Sequence, residues 1–238
     1  MRALFLVTAF AACAVAAAAQ PAPAGARILR AWQEGQRAAA AAVGAVRAEE
    51  RMTRTVDGPG QRHDFLTESE VEAGAGEPRR RIRYAEVDGW AVAPERLARI
   101  ERRLDRSLGP GAAWTRAPAV GDMLRRSVAV GPARSTLHDG RPAWEVEVDA
   151  GAGRPARGAL GRGTLWFNRA PGDLRLLAAR FARPLPAGGH ATLDAEFTRA
   201  AGLDLPRRLT SDADVRQRRR TRWFAVLVRT EVEYGEWR

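Results

Sequence analysis

The sequence predicts an α+β domain, one long antiparallel sheet with two helices packed on one side, on three observations. Two segments, Ala26 to Glu50 and Glu95 to Leu108, carry apolar residues at helical spacing. Most of the remaining chain alternates apolar and polar residues with a period of two, as strands with one wet face do. Gly58-Pro59-Gly60 and Asp139-Gly140 stand beside those runs as turn signals.

The first residues read as an export signal. Met1-Arg2 supplies a positive start, and Ala3 to Ala16 is almost wholly apolar. Ala17-Ala18-Ala19 before Gln20 satisfies the small-x-small rule, so residues 1–19 are expected to be a signal peptide cleaved after Ala19. The expected location is periplasmic or secreted. Phe10-Ala11-Ala12-Cys13 loosely resembles a lipobox, but Phe stands where Leu is usual and the apolar run continues beyond the cysteine. Lipidation of Cys13 is therefore the weaker reading. Gln20–Gly25 is a short flexible lead-in, and residues 26–238 form one domain without an internal repeat.

Along that domain, the Ala-rich segment from Ala26 to about Glu50 is the first helix, with Ile28, Trp32, Ala39, Val43 and Val46 as a narrow apolar stripe. Three strands follow, Met52–Val56, His63–Val71 and Arg81–Val87, with Gly58-Pro59-Gly60 and Gly74-Ala75-Gly76 at the turns. Pro94 opens the second helix, whose apolar positions are Leu97, Ile100, Leu104 and Leu108, and Gly109-Pro110-Gly111 stops it. The strands expected after it are Arg126–Val130, Arg141–Asp149, Gly163–Asn168, Leu174–Arg183, His190–Arg199 and Arg218–Tyr234.

Composition narrows the function classes. Of 238 residues, 45% are hydrophobic and 28% charged, too apolar for global disorder. No apolar run of membrane-spanning length follows the N-terminus, and one cysteine excludes a disulfide scaffold or a cysteine-rich zinc site. The formal charge is +11, and all 39 basic residues are arginine. Such a chain is drawn to polyanions, and export makes nucleic acid the weaker partner. Arg79-Arg80-Arg81 and Arg218-Arg219-Arg220 are candidate contacts for an anionic membrane surface. Because alternate strand residues face opposite ways, solvated sheet edges account for the same runs.

The order of elements resembles the LolA/LolB-like superfamily of periplasmic lipoprotein carriers and outer-membrane lipoprotein-sorting proteins. The residues behind the resemblance are Asp88-Gly89-Trp90 before the second helix, Arg141 to Val148, Gly163 to Asn168, Asp173 to Leu177 and Ala201 to Pro206. It implies an unclosed antiparallel β-barrel, a long curved sheet with the two main helices packed on its concave face. It also implies an apolar cavity that holds acyl chains of lipids or lipoproteins without chemistry. Candidate lining residues are Phe65, Trp144, Val146, Leu165, Phe167, Phe224, Val226 and Val228. A dry, filled core is the competing account of the same side chains.

Catalysis has little to stand on. His63, His138 and His190 are far apart, and His63-Asp64 and His138-Asp139 read as solvated pairs. Asp204, Asp212 and Asp214 lack the oxygen spacing of a calcium loop and read as a turn. No nucleophile elbow, phosphate loop or dinucleotide fingerprint occurs, so no enzyme, metal or cofactor is expected. The expectation is a non-enzymatic carrier or chaperone for a lipid or lipoprotein acyl chain. The alternative is a regulatory module on the same fold that binds an envelope protein; oligomeric state stays open.

Overall fold

Buried and exposed side chains begin to alternate at Ala45, and this sets where the first helix ends. The computed structural model describes residues 24–74, 79–107, 124, 127–150, 161–185, 189–219 and 222–238. Helix α1 spans Ala24–Ala42 and strand β1 spans Ala45–Gly58. The helix expected to reach Glu50 therefore stops eight residues earlier. Val43 N–H still donates to the Ala39 carbonyl at 3.0 Å, and Gly44 follows. From there Val46, Ala48, Glu50, Met52 and Arg54 are buried in strict alternation. Pairing on both sides of β1 overrides the helical propensity of its Ala, Arg and Glu.

The other elements are β2 (Gln61–Gly74), β3 (Arg79–Val87), β4 (Trp90–Ala91), α2 (Pro94–Ser107), β5 (Val128–Ala129) and β6 (Arg134–His138), followed by β7 (Arg141–Asp149), β8 (Arg162–Asn168), β9 (Leu176–Pro184), β10 (His190–Ala200), β11 (Leu203–Arg219) and β12 (Arg222–Tyr234). They form one open antiparallel sheet of 12 strands in the order β4-β3-β2-β1-β12-β11-β10-β9-β8-β7-β5, with β6 paired to β7. The first and last long strands meet in its interior, Met52 opposite Val232 and Val56 opposite Val228. Beyond β12 the tail keeps pairing: Arg47 and Arg238 exchange backbone bonds of 2.8 and 2.9 Å.

Three strands escape the sequence reading, the two-residue β4, β6 and β11, and one expected strand is divided. β11 takes in Asp204, Asp212 and Asp214, which were expected in a turn. Its pattern is broken by charges on the wet face, and a register shift at Glu196/Phe197 interrupts its pairing with β10. Short β6 has only intermediate and exposed residues, so no apolar signal marks it. The long strand expected from Arg218 to Tyr234 is a hairpin instead, with Arg219 opposite Arg222. Residues 1–23, Gly109-Pro110-Gly111, Leu108, Ala75 and Gly76 lie outside the described residues, as do the side chains of Leu104 and the rest of that last turn of α2.

One face of the sheet, here the inner face, carries the core. Val146, Leu165, Phe167, Leu176, Phe181, Leu193 and Leu209 are almost wholly buried on it. Helix α1 lies against β5, β7 and β11. Its Trp32 ring stands 5.7 Å from that of Phe167. Asp204 fixes the helix: its Oδ2 accepts bonds from Trp32 Nε1 at 2.7 Å and Leu176 N–H at 2.8 Å, while its own N–H donates to Gln36 Oε1 at 2.9 Å. Burial pushes the Asp204 carboxyl up, and these two donors and the arginines Arg199 and Arg175 pull against that rise. Helix α2 lies along β3, with Leu97 and Ile100 against the core.

Candidate apolar site at the hairpin end of the sheet

The eight candidate lining residues fall into two groups. Trp144, Val146, Leu165 and Phe167 are on β7 and β8; Phe65, Phe224, Val226 and Val228 are on β2 and β12. Three strands, β9 to β11, separate β8 from β12. At about 4.8 Å per strand the two groups stand about 19 Å apart along the sheet. The structure does not gather all eight into one site.

The β7–β8 group is closed. Val146, Leu165 and Phe167 are 0% exposed, and Trp32 of α1 covers Phe167. Trp144 is half-buried at the margin, where the Arg169 guanidinium lies 4.8 Å from its ring centre. These side chains are core.

The second group is half-open. On the inner face Val56 stands opposite both His63 of β2 and Val228 of β12, and Phe65 stands opposite Arg54. Phe65, Val56, Val228 and Phe224 are all of intermediate burial. Together Val56, Gly58, Pro59, Gln61, His63, Phe224 and Val226 surround a pocket of about 110 Å³. The apolar row runs on through Val87 to Trp90, which pairs with it at the sheet edge and is 80% exposed. Sequence reasoning missed Val56, His63 and Trp90 as members of this group. The Asp88-Gly89 dipeptide, a hairpin-turn signal between Val87 and Trp90, was the available clue.

Behind the pocket the inner face turns polar. Glu50 and Arg80 form a 2.7 Å ion pair, with the Glu50 side chain wholly buried. Arg54, 2% exposed, donates through Nε to Thr230 Oγ1 at 2.9 Å. Burial, and then the charge of Arg80, push the Arg54 guanidinium down to about 9. Thr67, Ser69 and Ser211 are buried in the same belt.

The basic runs are distributed by strand alternation. Arg79 and Arg81 are exposed, whereas Arg80 turns inward to Glu50, so the three do not share a face. Arg218 and Arg219 are the last residues of β11, and Arg220 lies outside the described residues. Elsewhere arginines pair across strands: Arg229 with Asp212 at 2.8 Å, Arg47 with Glu72 at 3.1 Å, and Arg208 with Glu231. Of the His-Asp neighbours in sequence, His138 approaches Asp139 only to 3.6 Å, and His63 pairs with Asp88 instead of Asp64. Among the described residues no group of three or more His, Cys, Asp or Glu is placed to hold a metal ion. No described helix is long and apolar enough to cross a membrane.

No family model matches the sequence. Nor does any curated protein match it. Among solved structures the fold is similar to a domain from Vibrio parahaemolyticus described as an outer membrane lipoprotein-sorting protein, at 13% identity over 88% of this chain and 92% of that one, with a TM-score of 0.42. A DUF1329 family protein from Desulfovibrio piger is similar at 11% identity over 88% of this chain and 92% of that one, TM-score 0.35. Lipovitellin is similar at 7% identity over 82% of this chain, which spans 25% of that protein, TM-score 0.36. These likenesses concern fold, and the functional reading rests on this chain's own residues.

Proposed function

We propose that the protein is a non-enzymatic binding protein of the cell envelope that takes part of a lipid or lipoprotein acyl chain at the hairpin end of its sheet. One observation carries this reading. Val56 of β1 and Phe224 and Val226 of β12 border a pocket of about 110 Å³, and half-buried Phe65 and Val228 lie on the same inner face beside it. Covering them with methylenes contributes about 0.8 kcal/mol per group removed from water. Residues 1–19 supply the export signal, and the sheet with its helices forms the curved, unclosed barrel in which such a chain lies. The buried carboxylates serve structure, Glu50 in its pair with Arg80 and Asp204 in the anchor of α1.

Native mass spectrometry of the protein purified from a bacterial periplasm, with organic extraction, tests this. A stoichiometric acyl lipid is expected. A clean apo mass that incubation with phospholipid or palmitate leaves unchanged would refute the carrier reading.

A second reading has its own observation. Trp90 is 80% exposed on edge strand β4, a site suited to an apolar contact with an envelope protein. Trp90→Ala abolishing capture of such a partner, with lipid content unchanged, would favour it.

A further inference from the structure

One wall of the hairpin-end pocket carries a hydrogen-bonding group that a plain acyl chain leaves unused. His63 borders the pocket, and its Nδ1 lies 2.9 Å from Asp88 Oδ2. The carboxylate is itself fixed: Asp88 Oδ1 accepts the Asp64 N–H at 2.8 Å, and the Asp88 N–H donates to the Asp64 carbonyl at 2.8 Å. Asp88 sits at a φ of 54° and Gly89 at 80°, the two left-handed residues that a tight turn between β3 and β4 requires. Aspartate tolerates that backbone because its short side chain bonds locally.

The hydrogen bond from His63, and then that from Asp64 N–H, hold the Asp88 carboxyl below its ordinary range. An ionised carboxylate only accepts, so Nδ1 carries a hydrogen toward Asp88; when the ring bears no second proton, Nε2 is an acceptor. The other side chains around the pocket are Val56, Pro59, Phe224 and Val226, with the exposed amide of Gln61 at its rim. With its side chain 46% exposed, His63 lies at the pocket's mouth, and an acceptor beside an apolar wall selects a ligand that is apolar and carries a donor.

We propose that this pocket binds a hydroxylated acyl chain, with Nε2 of His63 accepting the hydroxyl hydrogen and Asp88 positioning the ring. The proposal rests on the acyl-chain reading of the same site and adds the hydroxyl to it. A volume of about 110 Å³ suits a short segment. It is about four carbons on the scale where a ~150 Å³ cavity takes benzene.

The test is a nuclear magnetic resonance titration of the purified protein with 1-hexanol and with hexyl methyl ether. It follows the imidazole nitrogens of His63 and the methyl groups of Val56 and Val226. Hexanol is expected to bind about three- to tenfold more tightly than the ether and to shift the Nε2 signal. His63→Phe keeps an apolar wall and should bind both equally; Asp88→Ala, which frees the ring, should narrow the preference. Equal binding of the two probes by the unaltered protein, or a preference that survives in His63→Phe, would overturn the proposal and leave the acyl-chain reading standing. Methyl groups unmoved by hexanol and by palmitate alike would overturn both.

Discussion

Leu165 and Phe167 on β8 and Phe224 and Val228 on β12 are the same kinds of side chain on the same face of one sheet, yet the first pair is sealed and the second half-exposed. The difference lies above the sheet. Helix α1 runs over β5, β7 and β11, and its Trp32 reaches Phe167 while Asp204 ties it to the sheet below. At the hairpin end neither described helix packs extensively on β1 or β12, and the apolar row ends in solvent at Trp90. Between the two regions lies the polar belt of Glu50, Arg54, Arg80 and Thr230. A β-strand's alternation thus specifies which face a residue takes, and the covering layer decides whether it is core or surface.

Cavity formation breaks or supports this comparison most strongly. Phe167→Ala should cost about 3–5 kcal/mol in urea unfolding. Phe224→Ala, which leaves no sealed void, should cost about 1 kcal/mol. Equal costs would mean the two regions are packed alike. Next, Glu50→Ala should cost about 3 kcal/mol, since it removes the buried carboxylate that balances the largely buried Arg80 charge beside Arg54. A loss below about 1 kcal/mol would show that the belt is well hydrated.

The Asp204 anchor sharpens the comparison through pH. Burial holds its folded carboxyl above the ordinary aspartate value of 3.8. The folded state therefore holds this proton where the unfolded chain has released it, so the contribution is full below 3.8 and is lost as pH rises through the folded value. Asp204→Asn retains an acceptor for Trp32 and Leu176 and should flatten that part of the stability profile. An unchanged slope would place the titration elsewhere. The smallest effect belongs to the outer face: Arg229→Ala, whose pair with Asp212 is largely exposed, should change stability by less than about 0.5 kcal/mol.

Much of the sheet was legible because period-two alternation survives in β2, β3, β7, β8 and β10, and Pro94 marks α2 cleanly. The end of α1 was not, because Ala45 to Glu50 has helical composition and becomes a strand only through partners far away in sequence, β12 above all. β11 was hidden for a related reason, since its aspartates mimic a turn while facing solvent or anchoring α1. For the site, sequence supplied Phe65, Phe224, Val226 and Val228 but could not separate them from Leu165 and Phe167. Strand order, which joins β1 to β12, carries that information and has no local signature. The His63–Asp88 pair likewise spans two strands and a turn, so the adjacent Asp64 concealed it.

The occupant proposed for the hairpin end is an acyl chain. Photocrosslinking the protein with a diazirine-bearing palmitate, followed by mapping of the labelled residues, tests it most directly. Label concentrated at Val56, Phe65, Phe224 and Val228 is the predicted result. Label confined to β7 and β8, around Val146 and Phe167, would contradict it.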